Sequence, residues 1–329
     1  MDQPSPPALP QLTYPLLVRM SSQLTWLTLA GRDRLTFANN FCTHKVRELA
    51  EGRGQEAFIC TAKGHTLGHG IFWAFPNELA YMTVAGQAAT LLPHWDRYII
   101  REQVELADQT NAVATWLVCG NEATWQLAGI TTWPEEPLIS SELRAQDPAG
   151  HEFNLWMAQV DWLPVPSWLV RTPLAQADAA EAWMASTFQR PAAELFAPWE
   201  TFDLLRVAGG YPWFGGDITT ENLPQEVARD QQAISFTKGC YLGQETVARI
   251  DALGHVNQLL RRIWSPERLT GTTPLPLFYQ EKPVGRITSI APLPDSSASL
   301  GLAYLRRNLP PGAELQTSTG TIVYATPNK

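Results

Sequence analysis

Apolar and polar positions recur along this chain in blocks, and each block predicts an element. Leu24 to Leu29 mixes Thr with Trp and Leu as a strand does, and Gly31 closes it. From Asp33 to Leu49, side chains at Leu35, Ala38, Cys42, Val46 and Leu49 recur every three or four residues, which predicts one helical face with Cys42 in the core. Ala57 to Cys60 and Thr66 to Phe75 read as strands joined at the turn Ala62-Lys63-Gly64-His65, and Leu79 to Val84 as another. A helix is predicted over Gln87 to Tyr98, with a kink or late start at Pro93. Strands follow at Val104 to Ala107 and Ala112 to Cys119, then a short helix from Glu122 to Ala128.

The stretch Thr131 to Gly150 is polar and rich in proline and glutamate, and reads as a surface connection. Strands resume at Phe153 to Trp162 and Trp168 to Val170, followed by helices at Ala175 to Phe188 and Trp199 to Ala208, the second stopped by Gly209-Gly210. From Val256 onward the pattern changes to short runs separated by Pro, Gly and Ser: Gln258 to Trp264, Leu275 to Tyr279, Gly285 to Ala291, Ser299 to Tyr304 and Thr321 to Tyr324. That is the pattern of a small β-barrel. The mixture lacks the regular alternation of a parallel sheet, so the fold class is α+β. Residues 1–20 are expected to be a mobile arm, 21–254 an α+β region and 255–329 a barrel domain.

Composition narrows the function classes. With 329 residues, 45% hydrophobic and 17% charged, the chain can form two or three domains with sizeable cores. A net charge of −8 supplies no field for general nucleic-acid binding. Arg261, Arg262, Arg306 and Arg307 read either as a basic edge for a partner or as solvated side chains. The N-terminus lacks a basic and apolar leader pattern and no apolar run approaches a membrane span, so a cytoplasmic protein is expected. Cys42, Cys60, Cys119 and Cys240 are far apart, without a C-x-x-C pair, and read as reduced thiols. A metal reading of Cys60, His65 and His69 stands against exposed turn histidines.

Chemistry concentrates in Lys238-Gly239-Cys240-Tyr241-Leu242-Gly243-Gln244-Glu245, with a helical run after it. A thiol near a helix start, two residues from a lysine, is a candidate for activation, because both charges favour the thiolate. The competing reading makes Cys240 a small buried residue and Tyr241 a core aromatic. A second concentration is the glycine-rich loop with Tyr211, Trp213 and Phe214, ending at Asp217. It reads either as a stacking site for a flat heterocycle, with Asp217, Gln225 or Glu226 as polar contacts, or as a lid over the core.

The Lys-Gly-Cys-Tyr-x-Gly-Gln-Glu run, preceded by Gly215-Gly216-Asp217 and Leu223-Pro224-Gln225-Glu226, resembles the signature of the YgfZ family of folate-binding proteins. These are relatives of the glycine-cleavage T-protein, an aminomethyltransferase, with a mitochondrial branch of iron-sulfur assembly factors. The resemblance runs back to about Leu24. It implies three domains in a ring around a folate channel, the first two interleaved in sequence and the third a C-terminal barrel. It also implies tetrahydrofolate as cofactor and iron-sulfur client enzymes or cluster carriers as partners, with effects on tRNA modification that follow indirectly. Cys240 and Lys238 would be the reactive pair. Tyr211, Trp213, Asp217, Gln225, Glu226, Tyr241, Gln244, Glu245 and Arg249 would shape the folate site.

Three departures stand out. The T-protein carries an acidic pair where this chain has Gly68-His69, an aspartate where it has Cys240, and the family usually has a glutamate where it has Ala208. The first makes ordinary aminomethyl transfer an unexpected activity. The remaining alternatives are a folate-dependent transferase or demethylase, whose carboxylate would come from Asp217, Glu226 or Glu245, and a folate-binding scaffold with an inert Cys240.

Overall fold

The computed structural model describes residues 5–326 apart from 128–129, 131–132, 255, 295 and 311. In chain order its elements begin β1 (Leu16–Arg19), β2 (Leu24–Ala30), α1 (Arg34–Asn40), β3 (Gly54–Cys60), β4 (Thr66–Ala74), β5 (Glu78–Val84), α2 (Ala88–Asp96) and β6 (Glu105–Asp108). Next come β7 (Val113–Cys119), α3 (Glu122–Leu127), β8 (Ser140–Gln146), β9 (Glu152–Val160), β10 (Ser167–Pro173), α4 (Ala177–Thr187), α5 (Ala192–Leu195) and α6 (Trp199–Gly209). Last are α7 (Asp230–Ala233), α8 (Gln244–Leu253), β11 (Gln258–Ser265), β12 (Leu275–Tyr279), β13 (Lys282–Pro292), β14 (Ser299–Arg306), β15 (Glu314–Thr317) and β16 (Ile322–Ala325).

These strands make two five-stranded sheets and a closed barrel. One sheet has the order β3-β4-β5-β2-β6 and the other β1-β7-β10-β9-β8, while the barrel runs β11-β14-β13-β12-β15-β16. Adjacent strands β1 and β2 therefore enter different sheets. Trp26 and Trp73 of the first sheet meet Trp156 of the second edge-on, with centroids 5.8 and 4.9 Å apart. Each such pair adds about 0.5–1.5 kcal/mol beyond the area it buries. On the barrel side, Leu204 and Val207 of α6 pack with Leu260, Trp264 and Leu302, and Leu9 contacts both this core and the one between the sheets.

Four expectations need correction. Residues 1–20 are not all a free arm, because Leu16–Arg19 pairs with β7 and places Leu17 and Val18 in the core. The helix expected over 33–49 ends at Asn40; the Asn39 side chain accepts the Val46 and Arg47 N–H groups at 3.2 and 3.4 Å, offering the backbone an alternative to helix. Cys42 and Val46 are nevertheless buried, since the loop wraps the same core. The polar stretch 131–150 contains β8, an edge strand paired with β9 in which exposed Glu142, Arg144 and Gln146 alternate with the more buried Leu143 and Ala145. The barrel gains β15, too short and polar to announce itself. The last residue of the helix expected at 122–128, Ala128, lies outside the described residues.

Candidate functional site

The aromatic loop is positioned by the end of α6. Gly210 takes φ 83° to cap the helix, and a Cβ on Gly209 would fall 2.8 Å from the Trp162 carbonyl oxygen, so only glycine allows this approach to the loop after β9. The chain then lays Tyr211 on Trp162, with centroids 5.2 Å and planes 27° apart, while Trp213 stands edge-on to Trp162 and Phe202. With His69 and Thr83 from the first sheet, Trp162, Tyr211, Trp213 and Phe214 line a narrow cleft with about 10 Å³ of open space, room for about one water molecule. Its walls are mostly apolar, with few polar groups, as small-molecule sites usually are.

Behind this cleft lies a buried ionic cluster. Glu56 on β3 receives Arg229 through Nε at 2.5 Å and Nη2 at 2.6 Å, and His69 Nε2 at 2.8 Å. Arg229 also approaches Asp161 at 3.5 Å and covers the Tyr211 ring at 4.9 Å. Burial alone would push the Glu56 carboxyl up, but the Arg229 charge and the His69 hydrogen bond together hold it at about 2. An ionised carboxylate only accepts, so His69 Nε2 is the donor and carries a proton. The ring is further fixed by stacking on Phe58 at 4.8 Å. His69 is thus engaged by a carboxylate and Cys60 is a buried thiol pushed up to about 12 by burial; among the described residues no group of three ligating side chains forms.

Asp217 does not face the cleft. Its carboxylate takes Arg206 Nη1 at 2.5 Å, the Trp213 N–H at 3.0 Å, and the hydroxyls of Thr288 and Ser289 on β13 at 2.5 and 2.7 Å. It latches the glycine-rich loop and α6 to the barrel. Glu226 accepts the Leu223 N–H at 3.1 Å and Gln258 Nε2 at 2.9 Å, and Gln225 donates to the Val247 carbonyl at 2.7 Å. All three are buried and serve the packing between segments.

The signature motif forms a second cleft. Gly243 takes φ 84°, and a Cβ there would lie 2.4 Å from the Thr61 carbonyl oxygen; Gly64 opposite is equally crowded by Thr246, whose hydroxyl donates to the Lys63 carbonyl at 2.9 Å. The glycine therefore lets α8 dock on the β3–β4 turn. Gln244 accepts the Tyr241 N–H at 3.3 Å, Tyr241 is buried, and Glu245 and Arg249 are exposed along α8. Cys240 is exposed, four residues before the first helical residue, and so not at the helix N-terminus.

Lys238 does not address Cys240. Its ammonium is buried and donates to the carbonyls of Asn39, Cys42 and His44 at 2.6, 2.7 and 2.8 Å, and the nearby thiol is that of Cys42 at 3.8 Å. The Tyr241 ring covers it at 4.9 Å. Three carbonyls use all three ammonium donors, and the lysine staples the loop after α1. Burial lowers its proton affinity. Cys240 instead shares its cleft with Asn39, Lys45, Arg47 and Glu48. The two clefts have no lining residue in common, so the structure separates Tyr211 and Trp213 from Cys240.

Sequence reading missed Glu56, Arg229, Trp162, Asn39, Lys45 and Arg47. A glutamate within the otherwise largely apolar strand Gly54–Cys60 was the one legible signal, because such a charge is buried only with a partner. No described helix is long and apolar enough to cross a membrane.

No protein-family model matches the chain. It is 28% identical over 251 residues, 75% of this chain and 71% of the relative, to the "tRNA-modifying protein YgfZ" of Sodalis glossinidius. It is 26% identical over 292 residues, 87% of this chain and 77% of the relative, to an "Aminomethyltransferase" of Shouchella clausii. The fold matches the glycine cleavage system aminomethyltransferase T of Bartonella henselae with TM-score 0.79 and 15% identity, over 94% of this chain and 84% of that one.

Proposed function

Given that the chain belongs to the YgfZ family within the glycine-cleavage T-protein superfamily, we propose that it is a folate-binding accessory protein and not an aminomethyltransferase. On this reading it serves iron-sulfur client enzymes or cluster carriers in the cytoplasm and affects tRNA modification through them. The relatives named as tRNA-modifying proteins support the biological setting. The aromatic cleft supports the ligand: Trp213 and Phe214 border it, Trp162 and Tyr211 are stacked on each other in its wall, and it would have to widen to admit a pterin beside His69. Tetrahydrofolate would supply a one-carbon carrier there.

The observation that carries the choice of binder over transferase is the commitment of the buried carboxylates. Glu56 is neutralised by Arg229 and held at about 2, which makes it a poor base at neutral pH. Asp217 and Glu226 are spent on contacts between segments, and Glu245 is exposed on α8. Cys240, in the other cleft, is then free for a step separate from folate binding.

Calorimetry with tetrahydrofolate under reducing, anaerobic conditions tests this. Micromolar binding is expected, weakened about two- to tenfold by Tyr211→Leu, as loss of an aromatic contact worth roughly 0.5–1.5 kcal/mol requires, and unchanged by Cys240→Ala. Purified protein should not consume tetrahydrofolate with an added amine. Failure to bind at millimolar ligand would sink the folate assignment, and turnover would favour the transferase.

A further inference from the structure

The second cleft holds an exposed thiol in a setting selective by charge. Cys240 lies with Lys45 and Arg47 in an open cleft of about 270 Å³. Both cations are exposed, and among the described residues neither forms an ion pair; Glu48 is the only carboxylate in the lining. The buried Lys238 ammonium adds a further positive charge beneath the floor. Opposite charge in such a cleft raises the local concentration of anions.

A separate observation points to a ligand. Asn39 lines the cleft and is only 5% exposed. Its Oδ1 is taken by the Val46 and Arg47 N–H groups, which settles which end of the amide is oxygen. Its Nδ2 has no protein partner among the described residues, yet it is not sealed off from solvent by them. An amide donor that has no protein partner among the described residues and reaches solvent beside two cations without ion pairs is available to an acceptor such as a carboxylate.

We propose that this cleft binds small anionic thiols and holds them at Cys240 as mixed disulfides. Lys45, Arg47 and the Asn39 Nδ2 donor take the carboxylates. In the exchange step the Cys240 thiol loses its proton to solvent and its sulfur attacks one sulfur of an anionic disulfide. The old S–S bond breaks, a new one forms to Cys240, and the other half leaves as a thiolate. The disulfide is the oxidant, and no other co-reactant is needed. This inference stands apart from the folate reading, because it concerns the other cleft.

The test is the rate of mixed-disulfide formation at Cys240, followed by mass spectrometry of the intact protein, with oxidised glutathione as the anionic probe and cystamine as the cationic one. Cys240→Ser identifies the site. The ratio of anionic to cationic rates should fall at least about tenfold in Lys45→Glu/Arg47→Glu, and should narrow in wild type at about 1 M salt, where the screening length is about 3 Å. Asn39→Asp keeps the Oδ1 acceptor and replaces the donor with a carboxylate, so it should slow oxidised glutathione selectively. The salt series on wild type reads the same quantity without any variant. A ratio indifferent to salt, to charge reversal or to Asn39→Asp overturns the proposal, and calorimetric folate binding is unaffected by either outcome.

Discussion

Replacing Arg229 by methionine exposes the energetics of the buried cluster. In the wild type Glu56 is held at about 2, against 4.5 for the free group. Its folded value lies below its unfolded one, so the stabilisation is complete above about pH 4.5 and is lost as pH falls through the folded value. At 1.36 kcal/mol per pH unit, the linkage contribution is about 3 kcal/mol. Arg229→Met removes the charge that outweighs burial, and burial then raises the folded carboxyl above its unfolded value, reversing the sign. The variant should be about 3–5 kcal/mol less stable at neutral pH, the usual cost of leaving one buried charge unpaired. The gap to wild type should narrow as pH falls from about 4.5 toward about 2, where the wild-type stabilisation is lost and the variant's carboxyl is protonated. Urea unfolding followed by tryptophan fluorescence, at several pH values between those limits, measures both quantities. Adding Glu56→Gln to Arg229→Met should recover part of the loss at neutral pH. A gap independent of pH, or a variant within about 1 kcal/mol of wild type, would refute the argument.

Asp217→Asn should cost about 3 kcal/mol in the same unfolding assay by leaving Arg206 with the partly exposed Asp203 as its one charged partner among the described residues, and limited proteolysis should cut first around the glycine-rich loop. An unchanged midpoint would show that the latch between α6 and the barrel is dispensable. Lys238→Met should destabilise by about 3 kcal/mol or more, since the buried Asn39 and Cys42 carbonyls lose the ammonium donor and the part-buried His44 carbonyl keeps only the weak Cys42 thiol. Where the folded variant persists, Cys240 should alkylate within about twofold of the wild-type rate, because the lost ammonium is bound to the Asn39, Cys42 and His44 carbonyls while Cys240 faces solvent, where charge effects are weak. A tenfold slowing in folded protein would restore the expectation that Lys238 activates Cys240.

Much of the architecture was legible in the chain. The barrel runs between Gln258 and Tyr324, the β3–β4 hairpin and the two helices Ala177–Thr187 and Trp199–Gly209 follow from period, turn residues and stops that act over a few positions. The aromatic loop was legible too, because Tyr211, Trp213 and Phe214 crowd into four residues beside the glycines. Local steric and solvation preferences determine such features, so they survive in the sequence alone.

What the charged and reactive residues do was decided by the tertiary structure. Lys238 lies two residues from Cys240 in the chain but donates to carbonyls almost 200 positions earlier. Glu56 and Arg229 meet across 173 positions, and Asp217 finds its hydroxyl partners on β13. Periodicity reports which face is buried; it does not report which distant group shares that burial. The role of a charge depends on that partner, because burial opposes ionisation and only an opposite charge or hydrogen bond offsets it. The motif therefore drew attention to Cys240, and only the fold shows that Asn39, Lys45, Arg47 and Glu48 surround it.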